Sequence, residues 1–214
     1  MPVLSDLEPR EVFAWFERLC AIPHGSHHAK AISDYLVAFA RERGLACRQD
    51  AANNVVIRKA ASAGYENAPV VMLQGHIDMV CEKDADCGKD METEGLDLFV
   101  DGDVIGARGT TLGGDDGIAV AMALAVLDAD DIPHGPLECV FTADEEVGMI
   151  GARALAALHA GLECGILSGK LPKLDCISLG PDLTDIHTPR ERLHIASTER
   201  TWRLLLGTLK RLDA

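Results

Sequence analysis

The stretch Gly75-His76-Ile77-Asp78-Met79 follows the apolar run Val70-Val71-Met72-Leu73. On a strand, residues two apart face the same side, so His76 and Asp78 set an imidazole and a carboxylate together at the strand's end. Zinc takes imidazole ligands, and each needs its second ring nitrogen oriented by an acceptor. Asp78 is placed to support His76 in that way rather than to be a ligand itself. His76 alone reads equally as a structural histidine. Three further groups shift the balance: Asp115 and Asp116 within Gly113-Gly114-Asp115-Asp116-Gly117, then Asp144-Glu145-Glu146, then Asp185-Ile186-His187.

Two aspartates just before a helix satisfy free amides at its start. That explains one of them. The three glycines suggest more, a backbone folded tightly so that a carboxylate reaches inward and gives one oxygen to each of two cations. Glu145 and Glu146 end an apolar strand that begins at Leu137, and two carboxylates in a dry site are costly unless paired or metallated. One of the pair then serves as ligand and the other as general base. His187, in a loop kept out of a helix by Pro189, offers the second imidazole. Together these groups describe a hydrolytic metal centre.

Such groups need elements to carry them. Apolar spacing predicts a first helix after Pro9 with Val12, Phe13, Phe16, Leu19 and Cys20 on one stripe, and a second from Ala29 to Arg43. Short strands are expected at Leu45–Gln49 and Val55–Arg58, with a strand buried on both faces at Val70–Gln74. A hairpin turns at Asp101-Gly102-Asp103. Beyond it come a small-residue helix over Ile118–Leu127, a central strand at Leu137–Thr142 and a helix from Gly148 to about Ala160. A strand over Leu174–Leu179 and a closing helix over Ile195–Leu212 complete the pattern. Interleaved strands and helices argue for a single α/β domain over residues 1–214, three layers with a central mixed sheet.

Composition narrows the partners. Lys and Arg total 20 against 34 Asp and Glu, a formal charge of -14 over 214 residues. That field repels nucleic acid and anionic membranes. Seven cysteines, an odd number without a C-x-x-C spacing, point to reduced thiols and a cytoplasmic setting. No basic-then-apolar leader opens the chain, and no apolar run reaches membrane-spanning length.

In chain order the sequence carries Ile22-Pro23-His24, then Gln74-Gly75-His76-Ile77-Asp78-Met79-Val80-Cys81-Glu82-Lys83, then Arg108-Gly109-Thr110-Thr111-Leu112-Gly113-Gly114-Asp115-Asp116-Gly117. Thr142-Ala143-Asp144-Glu145-Glu146-Val147-Gly148, His159-Ala160-Gly161-Leu162-Glu163 and His187-Thr188-Pro189-Arg190-Glu191 follow. Through these motifs the chain resembles the aminoacyl-histidine (Xaa-His) dipeptidases, within the family of two-zinc exopeptidases. The resemblance implies that His76 binds a first metal with Asp78 supporting it, that Asp115 bridges, that Glu145 is the catalytic base, and that Glu146 and His187 bind a second metal. His159 and Glu163 would lie near the substrate. Two divalent cations are implied, zinc first and manganese or cobalt as alternatives, together with a small peptide substrate ending in histidine.

The family also carries, between its Glu-Glu and His-Ala-Gly-Leu-Glu segments, a core strand ending in an aspartate ligand of the first metal, and then a lid domain. Only Ile150 to Leu158 stands there in this chain. The comparison implies a catalytic domain without its lid, a deletion junction near 150–158, a weakened first metal site, a monomer, and apolar surface near Gly151 to Gly165. Two functions follow. One is a metallo-dipeptidase; the other is a catalytically impaired paralogue that binds metal or a partner.

Overall fold

The computed structural model describes residues 2–158 and 175–212. Helix α1 (Arg10–Cys20) follows Pro9 and buries Val12, Phe13, Trp15, Phe16, Leu19 and Cys20. Helix α2 (Lys30–Glu42) buries Ile32, Leu36, Phe39 and Ala40. Both show the expected apolar stripe.

Strands β1 (Ala46–Gln49), β2 (Val55–Lys59), β3 (Val71–His76) and β6 (Leu137–Thr142) form one sheet in the order β1-β2-β6-β3. The β1/β2 and β2/β6 pairs are antiparallel, whereas β3 runs parallel to β6 from Val71↔Leu137 to His76↔Thr142. The sheet is therefore mixed, and the carboxyl ends of β3 and β6 lie side by side. This register brings His76 next to the turn that carries Glu145 and Glu146.

Strand alternation explains the layers. Val55, Ile57, Leu137, Cys139 and Phe141 join the core formed by α1, α2 and helix α3 (Gly114–Asp128). Val140, with Val56 and Met72, packs instead against Ala152 and Leu155 of helix α4 (Ile150–Leu158). Helices on both faces of a mixed sheet make the expected three-layer α/β domain. Helix α3 is buried nearly all round, as its small and apolar residues allow. At Gly117 an added Cβ would stand 3.3 Å from the Phe16 ring, so α1 and α3 approach closely because no side chain separates them.

A second, antiparallel sheet was not foreseen. Strands β4 (Leu98–Asp101) and β5 (Val104–Ala107), the expected hairpin, are extended by β8 (Arg192–His194) and β7 (Leu183–Thr184) in the order β4-β5-β8-β7. Helix α5 (Ile195–Arg211) follows β8 directly.

Two expectations are corrected. Residues 175–179 form no regular element, and Ile177 is 71% exposed; alternating polarity makes a strand only where a neighbour pairs with it. Val71 to Gln74 are only partly buried, because β3 has one partner, β6, among the described residues. Apolar surface was expected near Gly151 to Gly165; Gly151, Ala152 and Leu155 pack inward, Ile150 beside them is 45% exposed, and the side chains of residues 156–165 lie outside the described residues. His159, Glu163 and the rest of that stretch lie outside the described residues. Among the described residues no helix is long and apolar enough to cross a membrane, and Cys20, Cys47, Cys81, Cys87 and Cys139 are free thiols.

Candidate metal centre

His76 is the last residue of β3 and is 7% exposed. Its Nδ1 lies 3.0 Å from the main-chain oxygen of Asp78, which leaves Nε2 facing the site. There Nε2 stands 3.1 Å from Asp115 Oδ1 and 3.9 Å from Glu145 Oε2. Burial disfavours a charge on this ring, but hydrogen bonds to Asp115 and Asp78 and the nearby Asp116 charge outweigh it and raise its pKa to about 11.

Asp115 follows the glycine turn. Gly113 has φ +67°, the left-handed region open to glycine without a Cβ penalty, and Gly114 opens α3. The turn sends the Asp115 carboxylate between two imidazoles, with Oδ1 toward His76 and Oδ2 at 3.8 Å from His187 Nε2. The His76 hydrogen bond holds its pKa below the ordinary carboxylate value. Asp116 turns the other way and accepts the His76 amide at 3.3 Å. Gly75 permits that contact, since a Cβ there would stand 2.9 Å from Asp116 Oδ2. Burial pushes the Asp116 pKa up to about 7.

Glu145 and Glu146 sit in the turn after β6, as their place behind a central strand implied. The turn is set by Asp144 at φ +56° and by hydrogen bonds from two directions. Asn54, 1% exposed, accepts the Ala143 amide at 3.0 Å and donates to the Gly151 carbonyl at 2.9 Å. Asp78, also 1% exposed, accepts the amides of Glu145 at 2.9 Å and Glu146 at 3.4 Å, together with the Ser26 hydroxyl at 2.8 Å. Its carboxylate thus holds the glutamate turn, while its oxygen Oδ1 stands 3.6 Å from His76 Nδ1.

His187 has φ +64° and a side chain 44% exposed, and its Nε2 lies 2.8 Å from Glu146 Oε1. Burial raises the Glu146 pKa, opposed by the neighbouring imidazoles. All six residues singled out by sequence, His76, Asp78, Asp115, Glu145, Glu146 and His187, therefore meet in one place through direct contacts. Sequence reasoning missed Asn54, Ser26 and Glu191. Glu191 ends the His187 motif, the one local signal that pointed to it.

The donor set suits a divalent cation. Donor atoms around a tetrahedral zinc at about 2.0–2.2 Å are themselves about 3.3 Å apart. The nitrogen-to-oxygen separations between 2.8 and 3.9 Å fit that spacing. Several carboxylates crowded against two imidazoles also lack the positive charge that such an assembly needs. Ligand atoms of His76, Asp115 and Glu146 lie within 4.8 Å of one another. That is one incomplete cluster; a second complete one is not found among the described residues.

Residues 72–169 match the model of Peptidase family M20/M25/M40. The chain is 44% identical over 155 residues to the cytosol non-specific dipeptidase of Escherichia coli, which spans 72% of this chain and 32% of that protein. It resembles the solved aminoacylhistidine dipeptidase of Vibrio alginolyticus at 43% identity and a TM-score of 0.69, over 76% of this chain and 32% of the other. The Pyrococcus horikoshii TET1 peptidase, at 13% identity, shares the fold alone, with a TM-score of 0.66 over 94% of this chain and 99% of its own. The chain therefore spans about a third of the length of the two relatives it resembles in sequence. Since the matched region includes β3, the glycine turn and the Glu145-Glu146 turn, the chain belongs to peptidase family M20/M25/M40.

Proposed function

We propose that this chain is a divalent-cation-binding domain of the dipeptidase type in which hydrolysis is impaired. The observation that carries this reading is the uneven supply of donors on the two sides of Asp115. Toward His187, the Glu146 carboxylate completes a set of three, with Oε1 2.8 Å from the ring. Toward the His76 ring, the carboxylate oxygens within 4 Å of a ring nitrogen among the described residues belong to Asp115, Asp78 and Glu145, the last with Oε2 at 3.9 Å. Glu145 is the group a hydrolase needs free as a base. We assign Asp115, Glu146 and His187 to a tight cation, zinc above manganese or cobalt, and His76 with the other Asp115 oxygen to a weak one.

A bound cation in such a centre polarises a peptide carbonyl and acidifies water. The chain's own part is to orient the donors through Asp78 and Asn54, to accept a proton on Glu145, and to return it to the leaving amine. The junction of the shortened segment is assigned to 150–158, within α4, and the chain to a monomer. One relative is named as non-specific and another as acting on aminoacylhistidine, at nearly equal identity, so likeness does not choose between histidine-ended and other dipeptides.

Zinc-loaded protein assayed on Xaa-His and Xaa-Gly dipeptides tests this reading. Zinc binding with little or no turnover supports it, and robust turnover would overturn the impairment. The second reading, an active Xaa-His dipeptidase, is favoured by the Glu145 carboxylate facing the His76 side of the centre. Equal rates on the two substrates would end the histidine preference.

A further inference from the structure

Glu191 is a buried residue whose carboxylate forms no ion pair among the described residues, the Arg192 guanidinium donating instead to its main-chain oxygen at 2.7 Å. It is 2% exposed, and it accepts three consecutive main-chain amides: Leu112 at 3.0 Å, Gly113 at 3.3 Å and Gly114 at 2.9 Å. These amides belong to the turn that opens α3 and delivers Asp115. Asp115 and Asp116 are themselves non-helical and the opening of α3 has no side-chain cap of its own, so Glu191 supplies the acceptor for the amides of this turn from a segment 77 residues away. The fit is close from both sides. A Cβ at Gly114 would lie 3.2 Å from Glu191 Oε1 and 2.7 Å from Leu183.

The same residue is tied to the other side of the centre. The Glu191 amide donates to the Thr188 carbonyl at 3.0 Å, closing the short turn that begins beside His187. We propose that Glu191 is a positioning residue for the metal centre: it locks the glycine turn of Asp115 to the turn of His187, so that two ligands of one cation are held at a fixed separation. This inference rests on the metal-binding reading above. It concerns a residue that touches neither cation nor substrate and acts only through Asp115 and His187.

The structural alternative is that Glu191 merely stabilises the fold, and the two roles separate in a metal titration. Glu191→Gln keeps the side chain's size but sets an NH2 group against amide donors. The folded variant should bind zinc about 10- to 100-fold more weakly, the usual cost of removing a group that orients a ligand. Its cobalt-loaded form should show a changed visible spectrum. Glu191→Asp, which keeps the charge but withdraws it by one methylene, should move both readouts in the same direction by less. Leu205→Ala, a buried change on α5, should lower the melting temperature and leave zinc affinity unchanged.

Zinc affinity and cobalt spectrum equal to wild type in a folded Glu191 variant would overturn the inference. Failure of both Glu191 variants to fold would overturn it as well, by assigning Glu191 to the fold. Absence of zinc binding in the wild-type chain is a different failure, that of the metal reading itself.

Discussion

Asp115 lies between two imidazoles with one oxygen toward each, and the roles around it separate by mutation. Asp115→Ala and His187→Ala should lose zinc in a calorimetric titration. Glu145→Ala should keep zinc affinity nearly intact while removing about 10²- to 10⁴-fold of any measurable hydrolysis. Equal zinc loss in all three variants would make Glu145 a ligand and reverse the assignment. The ligand types were legible in the sequence because each sits in a short pattern: a strand end at His76, a glycine turn at Asp115, a strand-to-turn junction at Glu145. The partners that hold them were not. Asp78 reaches the Glu145 amide across 67 residues and Glu191 reaches Leu112 across 79. Side chains that satisfy distant main-chain amides leave no local periodicity to read.

At the scale of elements, the glycine turn is the part most sensitive to an added methyl. Gly113 and Gly64 both have positive φ, +67° and +87°. A Cβ at Gly64 meets nothing within 4 Å, whereas one at Gly113 would stand 2.8 Å from Met79 Sδ. Gly64→Ala should therefore cost about 1–2 kcal/mol, the left-handed backbone penalty alone. Gly113→Ala should cost more and also weaken zinc binding, because it moves Asp115. Thermal melts with and without zinc check both; equal destabilisation with unchanged zinc affinity would contradict the placement of the turn. The strongly periodic elements, α1, α2 and β6, were legible to within a residue or two. Strands β7 and β8 were not, because two or three residues carry no usable alternation, and only the pairing of β8 with β5 and of β7 with β8 makes them part of a sheet. The run Leu174–Leu179 shows the converse, an apolar pattern whose described residues are left without a ladder.

For the whole molecule, the mixed sheet explains why the centre lies where it does: the parallel β3/β6 pair ends both strands at one edge, and the two glutamates and His76 project from that edge. The layering was legible from alternation. The second sheet was not, since it joins a hairpin in the middle of the chain to two short segments more than 70 residues later. Stability should also carry an acid-side signature from histidines outside the centre. Burial lowers the pKa of His24 and of His134 from 6.5. Each takes up a proton less readily folded than unfolded, so their contribution is present above about pH 6.5 and is lost as pH falls below it. His134→Gln removes one such loss; the gap in melting temperature between wild type and variant should narrow from about pH 7.5 to about pH 5.5. A gap independent of pH would mean that His134 takes up its proton as readily in the folded chain as in the unfolded one. The metal reading itself is tested most directly by calorimetric titration of the metal-free protein with zinc, in parallel with Asp115→Ala. A single tight equivalent in the wild type, absent from the variant, is the expected result. No binding at micromolar zinc, or the same binding in both proteins, would contradict a cation centre built on Asp115.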